Sequence, residues 1–202
     1  MATSSAQIIE LNTPLVREET RNLKVGDEVW ISGIIWGVRD ASLIRMIDDR
    51  DIPNCDFQGG FFLHTAPSVR KGDAGELIPV SVGTTTSMRM DRFTSGCIKD
   101  LGAAGIIGKG GLSEQSSKIL QDEGGVYLSI TGGAASLETQ QVEAIEDIFL
   151  EDLMPECVWK FRVKRLGPLI VSMDSHGNSL YRDVKSRSSE RLNTYLKTLS
   201  NK

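Results

Sequence analysis

Residues 83–91 carry the side chains with the clearest chemical potential, in the order Gly-Thr-Thr-Thr-Ser-Met-Arg-Met-Asp. They follow an apolar run at positions 78–82, and the apolar residues after them recur at the spacing of one helical face. The residues on that face are Met90, Phe93, Cys97 and Leu101. The stretch therefore predicts a strand, a glycine turn and a helix whose first amides are capped by Thr85, Thr86 and Ser87.

Arg89 falls in the first turn of this predicted helix, where a basic side chain opposes the helix dipole. An anion bound in front of the turn would explain it, because amides, hydroxyls and a guanidinium would then hold the anion together. The alternative is a well-capped helix with a solvent-exposed arginine. These nine residues alone leave both interpretations open.

The composition indicates a globular chain of 202 residues with a net charge of −4 and a pI of about 5.3. This acidic balance argues against a nucleic-acid partner. Cys55, Cys97 and Cys157 lie far apart, which argues against a disulfide framework or a metal site within this chain. No signal-like or membrane-length apolar stretch is evident, so we expect a cytoplasmic protein without a membrane partner.

Strands and helices alternate through the middle of the chain, which predicts one α/β domain with a mixed sheet over residues 1–202. We expect a loose terminus at 1–10, a core at about 11–181 and a C-terminal helix at about 188–200. The predicted strands are 28–35, 60–64, 78–82, 103–108, 125–131, 158–163 and 168–173. Four further helices are predicted. One begins after Asp40 as its N-cap, and two run from 83 to 101 and from 113 to 122. The fourth follows residue 132 and has Val142, Ile145 and Phe149 on one face. Residues 65–77 are predicted to be a loop.

Arg39, Arg89 and Lys109 each follow a predicted strand and stand next to a glycine and a predicted helix. Ligands of open α/β sheets bind outside the carboxyl ends of the strands, so three cations at one edge would suit a dicarboxylate. The alternatives are a surface pair between Arg39 and Asp40 and a solvated lysine in a flexible turn. Apart from His64, no histidine lies near these turns, so the cations and threonines resemble half of an active site.

Residues 83–91 closely resemble the Gly-Pro-Thr-Thr-Ser-Met-Arg-Met signature of the iron–sulfur tartrate/fumarate hydro-lyases, in their β region. The resemblance runs from about residue 11 to 180, and its later features are most similar to the β subunits of L(+)-tartrate dehydratases. Further matching segments, in the same order, are Val25-Gly26-Asp27, Arg39-Asp40, Gly108-Lys109-Gly110-Gly111, Gly132-Gly133-Ala134 and residues 168–178.

This resemblance implies a swivelling β/α domain that works with a separate α subunit, in an α2β2 assembly. The α subunit would carry a cysteine-ligated 4Fe–4S cluster, not ligated by this chain, with one iron free to bind the substrate. The resemblance makes Thr85 the base at the substrate carbon and Thr86 its orienting neighbour. It assigns Arg39, Arg89 and Lys109 to the substrate carboxylates.

The implied reaction is the dehydration of L-tartrate to oxaloacetate and water, with hydration of fumarate as the nearest alternative. A dicarboxylate-binding module without catalysis is an alternative of another class. Three departures motivate it: Thr84 stands where the signature has proline, Leu43 where it has histidine, and Ala66 where it has glycine.

Overall fold

The computed structural model describes residues 7–200, except residues 132 and 134. The predicted loose terminus at 1–6 and the predicted turn at Gly132 and Ala134 lie outside these described residues. Within them, Ile8–Asn12 is a strand, so the expectation of a loose terminus is wrong for these residues.

Within the described residues, nine strands form a seven-stranded mixed sheet and a separate two-stranded hairpin. In chain order they are β1 (Ile8–Asn12), β2 (Glu28–Val38), β3 (Phe61–His64), β4 (Ser68–Lys71), β5 (Leu77–Ser81), β6 (Gly105–Gly108), β7 (Val126–Ser129), β8 (Val142–Phe149) and β9 (Val158–Met173). The sheet order is β1-β2-β3-β6-β7-β9-β8, and β4 pairs with β5 in the hairpin.

The long strand β9 closes the sheet, because it pairs with β7 and β8 on one side and with β2 on the other. Strands β1, β2, β3, β6 and β7 run parallel to one another, whereas β9 runs antiparallel to β2, β7 and β8. The predicted α/β class with a mixed sheet is confirmed. The extra pairing of β9 with β2 makes a closed ring of β2, β3, β6, β7 and β9.

Helical segments lie between the strands along the chain, and the last one follows β9 and is mostly exposed. They are α1 (Arg17–Asn22), α2 (Asp40–Leu43), α3 (Glu114–Glu123), α4 (Ala135–Gln140) and α5 (Leu180–Ser200), with 3-10 segments at Ser87–Phe93 and Glu151–Leu153 and π-helical turns at Ile44–Asp48 and Gly96–Asp100. Ser113 caps α3 by accepting from the Ser116 amide, which confirms the predicted start. Among the described residues, none of the helices has the length and apolarity needed to cross a bilayer.

Two apolar clusters bury the two faces of the sheet. Along β3, Phe61 and Leu63 belong to one cluster, and Phe62 belongs to the other. Such a strand has no polar face, so it reads in sequence as a continuous apolar run. The second cluster also holds Met90 and Phe93, so the predicted helical face is buried.

Several predicted elements differ from the structure. Residues 142–149 form β8 instead of a helix, and 158–173 form one strand instead of two. Irregularities in the β8–β9 register, between 142 and 144 and between 145 and 147, shift the side-chain phase. Apolar residues then recur at intervals that imitate a helix. The predicted loop at 65–77 contains β4, and the last helix begins at Leu180.

Candidate functional site

The carboxyl ends of β2, β3 and β6 lie side by side because these strands are parallel neighbours. Arg39, Thr65 and Lys109 each follow directly after the last residue of one of these strands. Two of the three predicted cations, Arg39 and Lys109, therefore lie along one edge of the sheet. This edge is where parallel strands expose unpaired backbone groups that can hold another segment.

Residues 83–86, here called the threonine loop, lie between the ends of β3 and β6. Thr84 pairs with Thr65 in antiparallel fashion, and Thr86 pairs with Lys109 in parallel fashion. The Thr85 amide donates to the His64 carbonyl at 2.9 Å, and Thr65 Oγ1 donates to the Gly83 carbonyl at 2.8 Å. Hydrogen bonds on both sides therefore fix where the Thr85 side chain stands.

Arg89 reaches this edge differently from the way its sequence context suggests. The strand before the threonine loop, β5, belongs to the separate hairpin, so Arg89 does not follow a strand of the main sheet. Its guanidinium Nη2 donates to Thr85 Oγ1, four residues earlier. Arg89 thus meets Thr85 through a local contact, and the loop that carries Thr85 pairs with Lys109 through Thr86.

The predicted capping by the three hydroxyls is wrong. Thr86 is the N-cap of the 3-10 segment, but its side chain makes no capping hydrogen bond. The Thr85 hydroxyl accepts from Arg89, and Ser87 lies inside the segment with a fully buried side chain. Because the Thr85 hydroxyl has another partner, capping no longer explains why a threonine stands at this position.

Ser87 joins two aromatic side chains beneath the threonine loop. Its Oγ lies 2.9 Å from His64 Nδ1 and accepts from the Tyr127 hydroxyl at 3.0 Å. Burial lowers the pKa of His64 to about 4, against an opposing effect of Asp40, so the ring is neutral at pH 7. Sequence reasoning noted His64 but missed this trio, because Tyr127 and Ser87 are far apart in the chain and carry no joint motif.

Glu138 of α4 is the second feature that sequence reasoning missed. Its side chain is 3% exposed, and its pKa rises to about 7 because burial outweighs the opposing effects of Lys109 and the Thr84 backbone. A single glutamate in a short helical segment gives no sequence signal of such an environment.

Arg39 stands at the same sheet edge but is charge-paired within the chain. Its Nε lies 3.4 Å from Asp40 and 3.3 Å from Glu156, without an aligned hydrogen bond. Glu156 also accepts from the Ala41 amide at 3.0 Å, which fixes the carboxylate at the start of α2. The ion pair between Arg39 and Asp40, which the sequence left as an alternative to substrate binding, is therefore formed. The carboxylate of Glu156 joins it as a second partner of Arg39.

The described residues do not fit an iron–sulfur cluster. No group of three or more His, Cys, Asp or Glu side chains within residues 7–131, 133 and 135–200 is arranged to hold a metal ion. Burial raises the pKa of Cys97 to about 12 and those of Cys55 and Cys157 to about 11, which disfavours the thiolates that ligate iron.

The groups at the sheet edge are open to their surroundings. Arg89 and Thr86 are exposed, and Thr85 and Lys109 are half-buried. A cavity of about 450 Å³ lies elsewhere, next to Gly60 at the amino end of β3, and is lined in part by Trp36 and Lys160. The candidate site is therefore a surface that another chain could cover.

Comparison with known proteins identifies the family. The family described as Fumarase C-terminus matches residues 1–184. The chain belongs to this family. A relative from Escherichia coli K12 named "L(+)-tartrate dehydratase subunit beta" is 40% identical over 184 residues, covering 90% of each chain. This member of the Fumarase C-terminus family therefore aligns with almost the whole of a protein of its own size.

A longer relative from Geobacillus stearothermophilus is named "Putative fumarate hydratase class I". It is 38% identical over 193 residues, which are 95% of this chain and 37% of that protein. The chain thus spans little more than a third of this relative. The resemblance seen in residues 83–91 is confirmed, and the site residues inferred from it stay predictions.

Proposed function

We propose that this chain is the β subunit of a hydro-lyase that dehydrates a hydroxy-dicarboxylic acid, with conversion of L-tartrate to oxaloacetate and water as its reaction. One observation carries the proposal: the Arg89 guanidinium donates to the Thr85 hydroxyl in a loop held between two strand ends, next to Lys109. The names of the relatives support the reaction class and include both tartrate and fumarate.

Dehydration requires a base that removes the proton next to a carboxylate while the neighbouring carbon loses hydroxide. A threonine hydroxyl is a weak base unless its surroundings favour the alkoxide. The hydrogen bond from Arg89 to Thr85 and the nearby charge of Lys109 act in that direction. In the proposed step, the substrate C–H bond breaks, its proton passes to the Thr85 alkoxide, and its electron pair forms a C=C bond as hydroxide leaves the neighbouring carbon. A Lewis acid on the partner chain would take up that hydroxide, and the resulting enol tautomerises to oxaloacetate.

Arg89 and Lys109 also suit the substrate's carboxylates. Arg89 is exposed, so its remaining guanidinium donors can grip a carboxylate in a bidentate manner. Fixed cations stabilise the negative charge that builds up on the carboxylate as the proton leaves. Arg39 is the weaker candidate, because Asp40 and Glu156 already balance its charge.

We propose that an α subunit covers this surface and carries the 4Fe–4S cluster, in an α2β2 assembly. The open position of Thr85 and Lys109 supports a partner chain, since dehydration needs a site closed to bulk water. The dispersed, high-pKa cysteines of this chain support placing the cluster on that partner.

The test replaces Thr85 in the assembled αβ enzyme and measures turnover of L-tartrate, L-malate and fumarate beside thermal melts. Removing a general base lowers the rate by about 10²- to 10⁴-fold, so Thr85→Val and Thr85→Asn should both show this loss. Thr85→Ser keeps an ionisable oxygen and should retain part of the activity. Melting temperatures should change little, because Thr85 is half-buried and caps no helix.

Arg89→Lys and Lys109→Met should each lower kcat/KM by at least about tenfold with little change in melting temperature. Arg92→Lys is the matched control, because Arg92 pairs with Asp48 on the surface of the same segment. Near-normal turnover by Thr85→Asn would refute the base role. Turnover of fumarate but not of L-tartrate would support the hydro-lyase class and refute L-tartrate as the substrate.

A further inference from the structure

Tyr181, at the start of α5, packs against the turn that carries Lys109. A Cβ atom added to Gly111 would lie 2.7 Å from Cδ2 of Tyr181 and 2.8 Å from its Cε2 and Cγ atoms. Carbon atoms in a packed interior do not approach one another this closely, so position 111 has room for glycine alone. The Tyr181 ring therefore lies directly on the backbone, two residues after the predicted substrate-binding lysine.

Two further contacts fix the Tyr181 side chain in this place. Its hydroxyl lies 2.7 Å from Ser129 Oγ, and Ser129 is the last residue of β7, in register with Gly108 of β6. Its ring meets the ring of Tyr127 edge to face, with the centroids 6.2 Å apart, which is a favourable arrangement for an aromatic pair. Tyr181 is therefore held both at its hydroxyl and along its ring.

The turn after Lys109 depends on contacts of this kind. Gly110 and Gly111 have φ angles of +83° and +74°, a conformation that glycine adopts readily but only as one of many. On one side the turn is anchored, because the Lys109 carbonyl accepts from the Ser87 amide at 2.9 Å. On the other side it leads to the capped start of α3. Between these anchors, the Tyr181 ring presses on the second glycine and restricts the turn.

We propose that Tyr181 is a positioning residue for substrate binding, because its anchored ring holds the two-glycine turn in the conformation that presents Lys109 to a substrate carboxylate. Tyr181 acts through Lys109 and not on the substrate itself. A turn that is already ordered binds its ligand without the cost of ordering it. This inference rests on the proposed function, in which Lys109 holds a substrate carboxylate.

The first experiment measures KM and kcat for L-tartrate in the assembled αβ enzyme. Tyr181→Leu keeps an apolar side chain but removes the flat ring and the hydroxyl, so KM should rise about tenfold, the effect of having to order one more residue on binding. The value of kcat should change less, because Lys109 binds the substrate in the ground state as well. Tyr181→Phe keeps the ring on Gly111 and should retain most of the affinity. Tyr195→Leu is the matched control, since Tyr195 is exposed on the same helix.

A double-mutant cycle with Lys109→Met distinguishes positioning from a general structural role. If Tyr181 acts through Lys109, Tyr181→Leu should change kcat/KM by less than about twofold once Lys109 has been replaced. An equal, tenfold loss in both backgrounds would overturn the proposal, because it would show that Tyr181 supports the enzyme by another route.

A second experiment is independent of the reaction, because Lys109 is itself a site of trypsin cleavage. In the folded full chain, Tyr181→Leu should raise the rate of cleavage after Lys109 at least about fivefold, since cleavage follows the population of the open turn. Cleavage after Lys71, exposed in β4, is the internal control, because global unfolding would raise both rates together. Unchanged cleavage after Lys109, or an equal rise at both sites, would overturn the inference. An assembled enzyme inactive on every dicarboxylate, with the cleavage as expected, would refute the proposed function alone.

Discussion

Replacing Ser87 by alanine should destabilise the chain by about 2–4 kcal/mol. The Ser87 side chain is fully buried, and its Oγ lies 2.9 Å from His64 Nδ1 and 3.0 Å from the Tyr127 hydroxyl. Alanine removes the shared oxygen and leaves both aromatic groups short of a partner. Each buried polar group left unsatisfied costs about 1–3 kcal/mol. The lower half of the summed range applies, because Tyr127 retains contacts with Tyr181 and the Gly111 backbone.

A double-mutant cycle with Tyr127→Phe separates these contributions. Phenylalanine removes one hydrogen bond and leaves Ser87 paired with His64, so the single change should cost about 1 kcal/mol. In the double variant no tyrosine hydroxyl is left unpartnered, so its cost should fall below the sum of the two single costs by at least about 0.5 kcal/mol.

The assay is urea unfolding of the full chain at pH 7, followed by circular dichroism. At this pH His64 is neutral in the folded state, because burial lowers the pKa of its side chain to about 4. Stability falls as pH drops from about 6.5 towards 4, since the unfolded chain then binds a proton that the buried ring does not. Ser81→Ala in β5 is the matched control, because Ser81 is exposed. A loss below about 0.5 kcal/mol for Ser87→Ala would refute the hydrogen-bonded trio.

Two further changes test how neighbouring segments pack against the segment that follows the threonine loop. Gly108→Ala would place a methyl group against Ser87 Oγ and 3.1 Å from the Tyr127 hydroxyl. We therefore expect the free energy of unfolding to fall by about 1–3 kcal/mol, and an unchanged urea midpoint would contradict this packing. Asp91→Asn should lower the free energy of unfolding by about 1.5–3 kcal/mol. The Asp91 carboxylate accepts hydrogen bonds from the Ser113 amide and from the Ser113 and Ser116 hydroxyls, at 2.7 Å each. A melting temperature within a degree or so of wild type would refute this link to α3.

Local signals in the sequence determined much of the fold. The buried strands β2, β3, β6 and β7 were predicted as apolar runs ending at glycine or polar residues, and Ser113 was predicted as the start of α3. The motif at residues 83–91 was sufficient to indicate the family that the comparisons then identified. These features depend on side-chain type and spacing within short segments, which is the information that a sequence displays directly.

The sequence also placed Arg39 and Lys109 at one sheet edge, because both follow parallel strands. It could not show that Asp40 and Glu156 neutralise Arg39, since Glu156 lies more than a hundred residues away in the chain. The sequence also suggested that Arg89 follows a strand of the main sheet, which is wrong. Nothing local reveals that the preceding strand, β5, pairs with β4 instead of joining that sheet.

Tertiary structure alone decided the closure of the sheet by β9 and the strand character of β8. Both result from long-range pairing, and the register irregularities between β8 and β9 hide the alternation of β8 from any prediction based on local period. The position of the threonine loop between His64 and Lys109, and the burial of Ser87 and Glu138 beneath it, have the same origin. Spacing along the chain carries no information on which distant groups share a dry interior, and that burial sets the pKa values of His64 and Glu138.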